Sequence, residues 1–532
     1  MVPATRENAH GDGMPIETEL KLQLPQSLQQ VDSRLLLTRL KPNLRSRGTR
    51  RVLRNVYFDT AERDLARRGM ALRVREIGRK RIQTIKLPNY GATLGLQTFR
   101  ELEAELPSAM PNLAMIGDSF LIRELREGIW PRLQPIFQTN FERTSWRLPY
   151  RGSEIEVSLD RGSISAGDRE EPIHELELEL KGGNQADLWG AAEELLEIVP
   201  YRLSFATKAA RGYALADAKP PQPQKATLIK LQDEDTVAVA FEKIVTGCIA
   251  QMQANEAAML ATGAVEAIHQ FRVALRRLRA IVGAYRELID DTVHAVWSID
   301  LRWAQRACGP ARDLDVLVLE TLSRMSTHLR HDEPFQRFVQ VANEERAAAR
   351  RQAIQALHNP RYAAMQLQLF QGLHNGAWRH ALAGPILDAP VREFAERMLQ
   401  NRYKRIMKLG EHWSELPDPE LHRLRIFGKK LRYVALAFSS LFKPKASKRF
   451  QDRLADLQDC LGAVNDGAVG RQLVRQLVER AAAEGALEIN DLQRIQGLII
   501  GWQAHAVHEG TRHLQEVWSA FADAKRFWRP GH

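Results

Sequence analysis

Three cysteines in 532 residues are too few for a disulfide framework, and no two of them stand at Cys-x-x-Cys spacing. Cys248, Cys308 and Cys460 each sit alone in helical-looking sequence and read as buried free thiols. Long apolar runs are also missing. Stretches such as Leu498-Ile499-Ile500 fall far short of a bilayer's thickness, which excludes a membrane-spanning helix and any membrane partner of that kind. The opening MVPATRENAHGDG lacks the apolar h-region of a secretory signal, so a cytoplasmic location is expected. Aromatic residues make up only 7% of the chain, and in its basic C-terminal half they are scattered rather than interleaved with the cations. Stacked bases would need that interleaving, so nucleic acid is disfavoured as a partner.

What the chain has in excess is positive charge: 76 Lys and Arg against 65 Asp and Glu, a formal net charge of +11. Such a field attracts polyanions of any kind. The length exceeds what one hydrophobic core usually supports, so more than one domain is expected.

Residues 1–13 read as a disordered lead-in. From 14 to 215 short strand-like segments (RNVYFDT, MALRVREI, RIQTIKLP, FRELEAEL, SEIEVSLD, IHELELELK) alternate with Gly, Pro and Asn signals, and the helical stretch QADLWGAAEELLEIV follows the last of them. Residues 216–226, ADAKPPQPQKA, form a Pro-rich linker. From 227 to 525 apolar residues recur at helical spacing in Ala-, Leu-, Arg- and Glu-rich sequence, which predicts an all-α domain. The fold class is therefore an α+β multidomain chain.

The strands carry their charge in runs of one sign. PIETELKLQL places Glu17, Glu19 and Lys21 on one face and Leu20, Leu22 and Leu24 on the other. Arg73 and Arg75 share a face, as do Glu101, Glu103 and Glu105, then Glu154 and Glu156, then Glu175, Glu177, Glu179 and Lys181; Lys86, Arg143, Arg147, Lys208 and Arg211 add further cations. Like charges repeated along a strand repel by roughly a few tenths of a kcal/mol each, and a face turned to water usually mixes in neutral polar residues. The pattern suits a closed barrel whose lumen holds a highly charged ligand, with carboxylates for hard divalent cations and Arg and Lys for phosphate oxygens.

Glu17-Thr18-Glu19-Leu20-Lys21, YFDT at 57–60, LRVR at 72–75, IKL at 85–87, LDRG at 159–162, ELELELK at 175–181 and TKAARGY at 207–213 together resemble the CYTH, or triphosphate tunnel metalloenzyme, domain. The resemblance implies an eight-stranded antiparallel β-barrel tunnel with flanking helices that hydrolyses a triphosphate with Mg²⁺ or Mn²⁺. It implies metal-side acids at Glu17, Glu19, Glu103, Glu105, Glu177 and Glu179, with Glu101 and Glu175 less firmly placed. Substrate oxygens would be bound by Lys21, Arg73, Arg75, Lys86, Arg143, Lys208 and Arg211. Lys21 beside the reacting phosphate and Glu177 facing the attacking water would be catalytic.

The helical region contains an internal repeat. IHQFRVALRRLRA and LHRLRIFGKKLRY align His269, Arg272, Arg276 and Arg279 with His422, Arg425, Lys429 and Arg432, a displacement of 422 − 269 = 153. CGPARDLDV and LGAVNDGAV align Asp313 with Asp466, and 466 − 313 is again 153. The halves run over about 227–383 and 391–525. At 100° per residue the four positions of each set span about 80° of one helix face, giving two basic stripes with almost no acid for pairing along the helix. Val273 and Leu278, like Ile426 and Leu431, are expected to anchor the helices.

These motifs resemble the CHAD domain, which implies a helical bundle with internal two-fold pseudo-symmetry that binds inorganic polyphosphate through both stripes. Function is then expected to be inorganic triphosphatase activity in the tunnel, with association to polyphosphate granules. The competing readings are a non-catalytic polyphosphate-binding protein and a tunnel enzyme acting on a nucleotide or thiamine triphosphate.

Overall fold

Alternating strands with charge on one face and aliphatic residues on the other have a way to bury both: they close on themselves and are covered from outside. The computed structural model describes residues 16–25, 48–88 and 94–529; the lead-in expected over 1–13 lies outside the described residues. The chain divides into two compact units. The first takes the described residues up to Pro221 together with His358–Asn375, and the second takes Gln222–Leu357 and the residues from Gly376 on.

The first unit is an antiparallel barrel. Its strands are β1 (Ile16–Gln23), β2 (Thr49–Asp59), β3 (Ala71–Ile77), β4 (Lys80–Pro88), β5 (Gln97–Leu106), β6 (Gln134–Tyr150), β7 (Ser153–Ala166) and β8 (Arg169–Gly182), with short β9 (Arg202–Ser204) alongside. Strand order is β5-β4-β3-β2-β6-β7-β8-β1, and pairing of β5 with β1 closes the ring. β5 takes the first half of the β1 edge, from Ile16 to Glu19, and β9 takes the second, from Lys21 to Gln23. Eight strands therefore leave no open edge between β1 and β5.

The outward aliphatic rows are covered by helices. α1 (Asp64–Arg67) and α2 (Ser119–Arg126) pack Leu65, Leu121 and Leu125 onto Phe58, Leu72, Val74, Ile85 and Leu106. α3 (Ala186–Ile198) lies against β8 and β1, where Leu20, Leu22, Leu176 and Leu178 are buried. α4 (Lys208–Ala216) packs on β6, β7 and β8. Its Tyr213 meets Phe137 edge-on, and Phe137 stacks on Tyr57 at 4.4 Å between centroids. Only glycine fits at 212, since a Cβ there would stand 2.1 Å from the Phe137 ring.

The second unit is helical. In chain order, α5 (Val237–Thr262), α6 (Val265–Ala284), α7 (Asp291–Ala307), α8 (Gly309–Val316), α9 (Ser323–His328) and α10 (Glu333–Leu357) form its first half. After α11 (Pro360–His374) and α12 (Gly384–Leu387), the second half is α13 (Val391–Gly410), α14 (Asp418–Ala437), α15 (Pro444–Ala483), α16 (Ile489–Thr511) and α17 (Leu514–Ala522). The repeat is visible in the element bounds: α14 begins 418 − 265 = 153 residues after α6, and α15 begins 444 − 291 = 153 after α7. One difference stands out. The single 40-residue helix α15 corresponds to a first-half path that breaks at Cys308 and passes through a π-helical turn at Leu317–Leu322. Leu278 and Leu431 are fully buried and anchor α6 and α14, whereas Val273 and Ile426 line a groove instead.

α11 lies within the span read from sequence as one helical domain, yet it belongs to the barrel unit. It packs on α3 and β9. Trp189 meets His374 edge-on at 4.8 Å, Phe370 meets Phe205 at 6.0 Å, and Phe370 sits where a Cβ on Gly95 would be, 2.4 Å from its ring. By the 153-residue offset its counterpart is near α17, which stays with the second unit and buries Trp518 over Gly410. Phe370→Ala should therefore destabilise the barrel unit, by about 3–5 kcal/mol if the cavity stays open. Urea denaturation followed by hydrogen exchange of the barrel-strand amides checks this; an unchanged midpoint would remove α11 from the barrel's core.

Candidate functional site

Register converts the charged rows into two walls. Glu19 stands opposite Glu179, Lys21 opposite Glu177 and Gln23 opposite Glu175 across β1 and β8. Glu156, Ser158 and Asp160 of β7 face the same three β8 residues, and Lys86 of β4 faces Glu101 of β5. On the other side Arg51 of β2 is opposite Arg143 of β6, with Arg73 and Arg75 of β3 on the next strand. An acidic half-cylinder thus confronts a basic one across a cavity of about 1020 Å³.

Where the walls meet, the charges neutralise one another. Glu177 accepts hydrogen bonds from Lys21, Arg143 and Lys208, the last at 2.8 Å. Burial alone would raise its carboxyl, but Lys208, Lys21 and Arg143 together hold it well below the usual carboxylate range. Lys208 also reaches Asp160 at 2.6 Å and Glu175 at 2.5 Å, and Lys21 lies 2.8 Å from Glu19. Lys86 is bound by Glu17 at 2.5 Å and by Glu101.

The basic wall is less well matched. Arg75 donates to Asn55 Oδ1 at 2.9 Å, and its guanidinium is pushed down to about 10 by burial and by neighbouring Arg73 and Arg143. Arg73 Nε is buried without a hydrogen-bond partner. Crowded, desolvated guanidiniums short of carboxylates favour a bound anion. The acidic wall has the converse shortage at one place: burial raises the Glu179 carboxyl, and Glu17 and Glu156 raise it further, against the pull of Lys181. Carboxylate oxygens crowded in this way fit a hard divalent cation.

All the expected substrate-side cations except Arg211 line the cavity: Lys21, Arg73, Arg75, Lys86, Arg143 and Lys208. Arg211 lies one turn beyond Lys208 on α4 and points away, to Glu171 at 2.7 Å and Glu175 at 2.8 Å. Of the expected metal-side acids, Glu17, Glu19, Glu103, Glu177 and Glu179 line the cavity and Glu105 does not. Glu105 shares the inward phase of β5 but lies past the rim, exposed, 3.5 Å from Lys80. Glu101 is the lining acid that the sequence reading set behind Glu103 and Glu105; period-two alternation marks the face of a strand but not where the barrel mouth falls. Among the described residues, the acids whose ligand oxygens converge are Asp160, Glu175 and Glu177, and the Lys208 ammonium already fills that convergence. Asp160 continues the period-two row of Glu154, Glu156 and Ser158 on β7, so alternation is the signal that could have found it.

In the helical unit the two stripes form one groove. His269, Arg272, Arg276, Arg279, His422, Arg425, Lys429 and Arg432 all line a cavity of about 1150 Å³, because α6 packs directly against α14. Arg272 donates to the Gln305 carbonyl at 3.1 Å and Arg279 to Gln305 Oε1 at 2.6 Å. Arg425 lies 3.3 Å from Asp466, and Arg272 lies 3.9 Å from Asp313. Arg302, Arg312, Arg402, Arg405 and Lys430 join the lining. Apart from Lys430, they lie on α7, α8 and α13, outside the repeated stripe, and no spacing signal singles them out.

Residues 15–213 match the model of the CYTH domain, and residues 243–475 match that of the CHAD domain. An inorganic triphosphatase of Haemophilus influenzae is 37% identical over 164 residues, 31% of this chain and 46% of that protein. The chain thus spans about half the length of that relative. An uncharacterised Mycobacterium tuberculosis protein is 26% identical over 440 residues, 76% of this chain and 79% of its own. The crystal structure of the CHAD domain from the plant Ricinus communis is 26% identical, covering 55% of this chain and 96% of that one with a TM-score of 0.46.

The Glu177 network generates a stability prediction. A carboxyl whose pKa is lowered on folding contributes stability above its unfolded value, 4.5, and loses that contribution as pH falls through the folded value. Glu177→Gln leaves Lys21, Arg143 and Lys208 under-compensated in a buried site and should cost about 3–5 kcal/mol at pH 7. The difference from wild type should narrow as pH falls below 4.5, measured by urea denaturation across the acid range. A variant as stable as wild type at pH 7 would show that the buried network is dispensable to the barrel.

Proposed function

We propose that this chain, which joins a CYTH domain to a CHAD domain, hydrolyses inorganic triphosphate to pyrophosphate and phosphate in its tunnel and holds inorganic polyphosphate in its helical groove. The observation that carries the first part is the closed barrel with one acidic and one basic wall, in which Arg73 and Arg75 form no direct ion pair with a carboxylate among the described residues. An anion receptor would need only the basic wall.

A divalent cation, Mg²⁺ or Mn²⁺, held by Glu17, Glu19 and Glu179, which adjoin one another across β1 and β8, would neutralise phosphate charge and draw the triphosphate against the acidic wall. Arg73 and Arg75 grip phosphate oxygens from the other side, and Lys86 does so from beside Glu17 and Glu101. Lys21 and Arg143, fixed by Glu177, stabilise charge on the leaving pyrophosphate. Glu177 itself is too weak a base to take a proton from water, since three cations hold its carboxyl low; its part is to accept a hydrogen bond and orient. Phosphoryl transfer through a loose transition state asks for positioning and charge rather than a strong base, so this arrangement suffices.

The volume of the tunnel, about 1020 Å³, supports a second reading in which the triphosphate carries an organic group. Phosphate release from triphosphate, pyrophosphate, ATP and thiamine triphosphate, with and without Mg²⁺, tests both. Triphosphate should be hydrolysed only with the metal. Glu19→Gln should lower kcat by about two orders of magnitude, whereas Arg75→Ala should act chiefly through KM. Undiminished turnover in the Glu19 variant would sink the metal role.

For the groove, salt should weaken polyphosphate binding steeply, as counterion release does on nucleic acids. Charge reversal at Arg276 and Lys429 together should weaken it more than either change alone, with little effect on hydrolysis of saturating triphosphate. Binding that is indifferent to both changes would move the polyphosphate site elsewhere.

A further inference from the structure

The repeat brings two equivalent cations to the centre of the groove, Arg276 and Lys429, with 429 − 276 = 153. Their neighbours in the stripes have acids within reach, Arg272 with Asp313 and Arg425 with Asp466. Arg276 and Lys429 themselves make no hydrogen bond or ion pair among the described residues, and Arg276 Nε is buried without a partner. The pseudo-symmetric site therefore places unpaired positive charge where its two halves meet.

The halves differ at this position in one chemical respect. A guanidinium keeps its proton at any physiological pH, whereas a lysine ammonium can give its proton up. Burial, then repulsion from Arg425, Arg276 and Arg272, pushes Lys429 down to about 7, against the pull of Asp466. Its own helix adds His422, Lys430, Arg432 and Tyr433 to the lining; α6 adds His269 and Arg279; α13 adds Arg402 and Arg405; and α15 adds Asp459. Cations dominate on α6, α13 and α14, α7 adds His294 and Arg302, α8 adds Arg312 and Asp313, and the α15 side is acidic with Asp459 and Asp466; burial and three arginines also lower His269.

We infer that an oxyanion binding between Arg276 and Lys429 is captured together with one proton, taken from solvent onto Lys429 Nζ. This rests on the reading of the groove as a polyphosphate site. The bound anion replaces repulsion with attraction and raises the affinity of Nζ for its proton, so affinity falls as pH rises through the free-state value. Between pH 7 and 8 the loss is about fivefold, provided the bound state stays protonated. The groove would then grip a polyanion in slightly acidic surroundings and loosen it in alkaline ones without any change of fold.

Calorimetric titration of the full-length protein with long-chain polyphosphate, free of divalent cations, tests the inference. Interior phosphates of such a chain stay singly charged across this range, so the ligand contributes little titration of its own. At pH 8, heats compared in buffers of different ionisation enthalpy should give uptake approaching one proton per bound protein, shrinking toward pH 6. Lys429→Arg keeps the charge and should bind with no uptake at pH 8 and a flat affinity from pH 7 to 8. Lys429→Gln, the check should the arginine pack badly, should bind weakly at both pH values with no uptake. Binding without uptake in wild type, or uptake that persists in Lys429→Arg, would overturn the inference and leave the polyphosphate reading intact. Absence of binding at both pH 6 and pH 8 in low salt would remove that reading and the inference with it.

Discussion

The barrel depends on Glu177. A carboxylate in the middle of a protein wall is affordable only with compensation, and here three cations from three elements supply it: Lys21 from β1, Arg143 from β6 and Lys208 from α4. Each of the three has a second acid to hold it, Glu19 for Lys21 and Asp160 for Arg143 and Lys208. The network therefore crosses the barrel and ties the end helix to it. It also sets what remains for a ligand. Once these charges have satisfied one another, Arg73 and Arg75 on the facing wall are left without a direct carboxylate ion pair among the described residues.

The same network shows how far sequence reasoning reaches. Alternation of charged with aliphatic residues over β1, β5 and β8 identifies inward faces, and the closed eight-stranded barrel follows from having too many charged faces to turn to water. Two kinds of information are missing from that pattern. One is axial position: Glu105 has the right phase but lies beyond the rim, while Glu101 lines the lumen. The other is competition: Arg211 has the right charge, one turn from Lys208, but Glu171 and Glu175 hold it outside. Neither depends on residue type or periodicity; both depend on strand stagger and helix rotation, which tertiary packing decides.

In the helical unit the repeat carries more than any single motif. A lone basic helix has an ordinary explanation as a solvated face, but a displacement of 153 shared by two motifs implies two halves of one fold. The structure extends the offset to whole helices and turns two stripes into one groove. Arg302, Arg312, Arg402 and Arg405 were illegible because they enter the groove from helices whose sequences resemble any exposed, Arg-bearing helix.

The duplication also separates two kinds of interaction by what they demand. The basic stripes keep their spacing in both halves, since a charged ligand is recognised by where each cation stands. The helices that follow α10 and α16 do not keep their partner: α11 buries Phe370 against Phe205 in the barrel unit, whereas α17 buries Trp518 and Phe521 among the aromatics of its own bundle. Apolar burial is non-directional and depends mainly on area removed from water, so an element held by it can change cores with modest change in sequence. An element held by charge cannot, because a misplaced partner leaves a buried ion uncompensated. Hence the duplicated chain retains its electrostatic register while lending one of its helices to a different core.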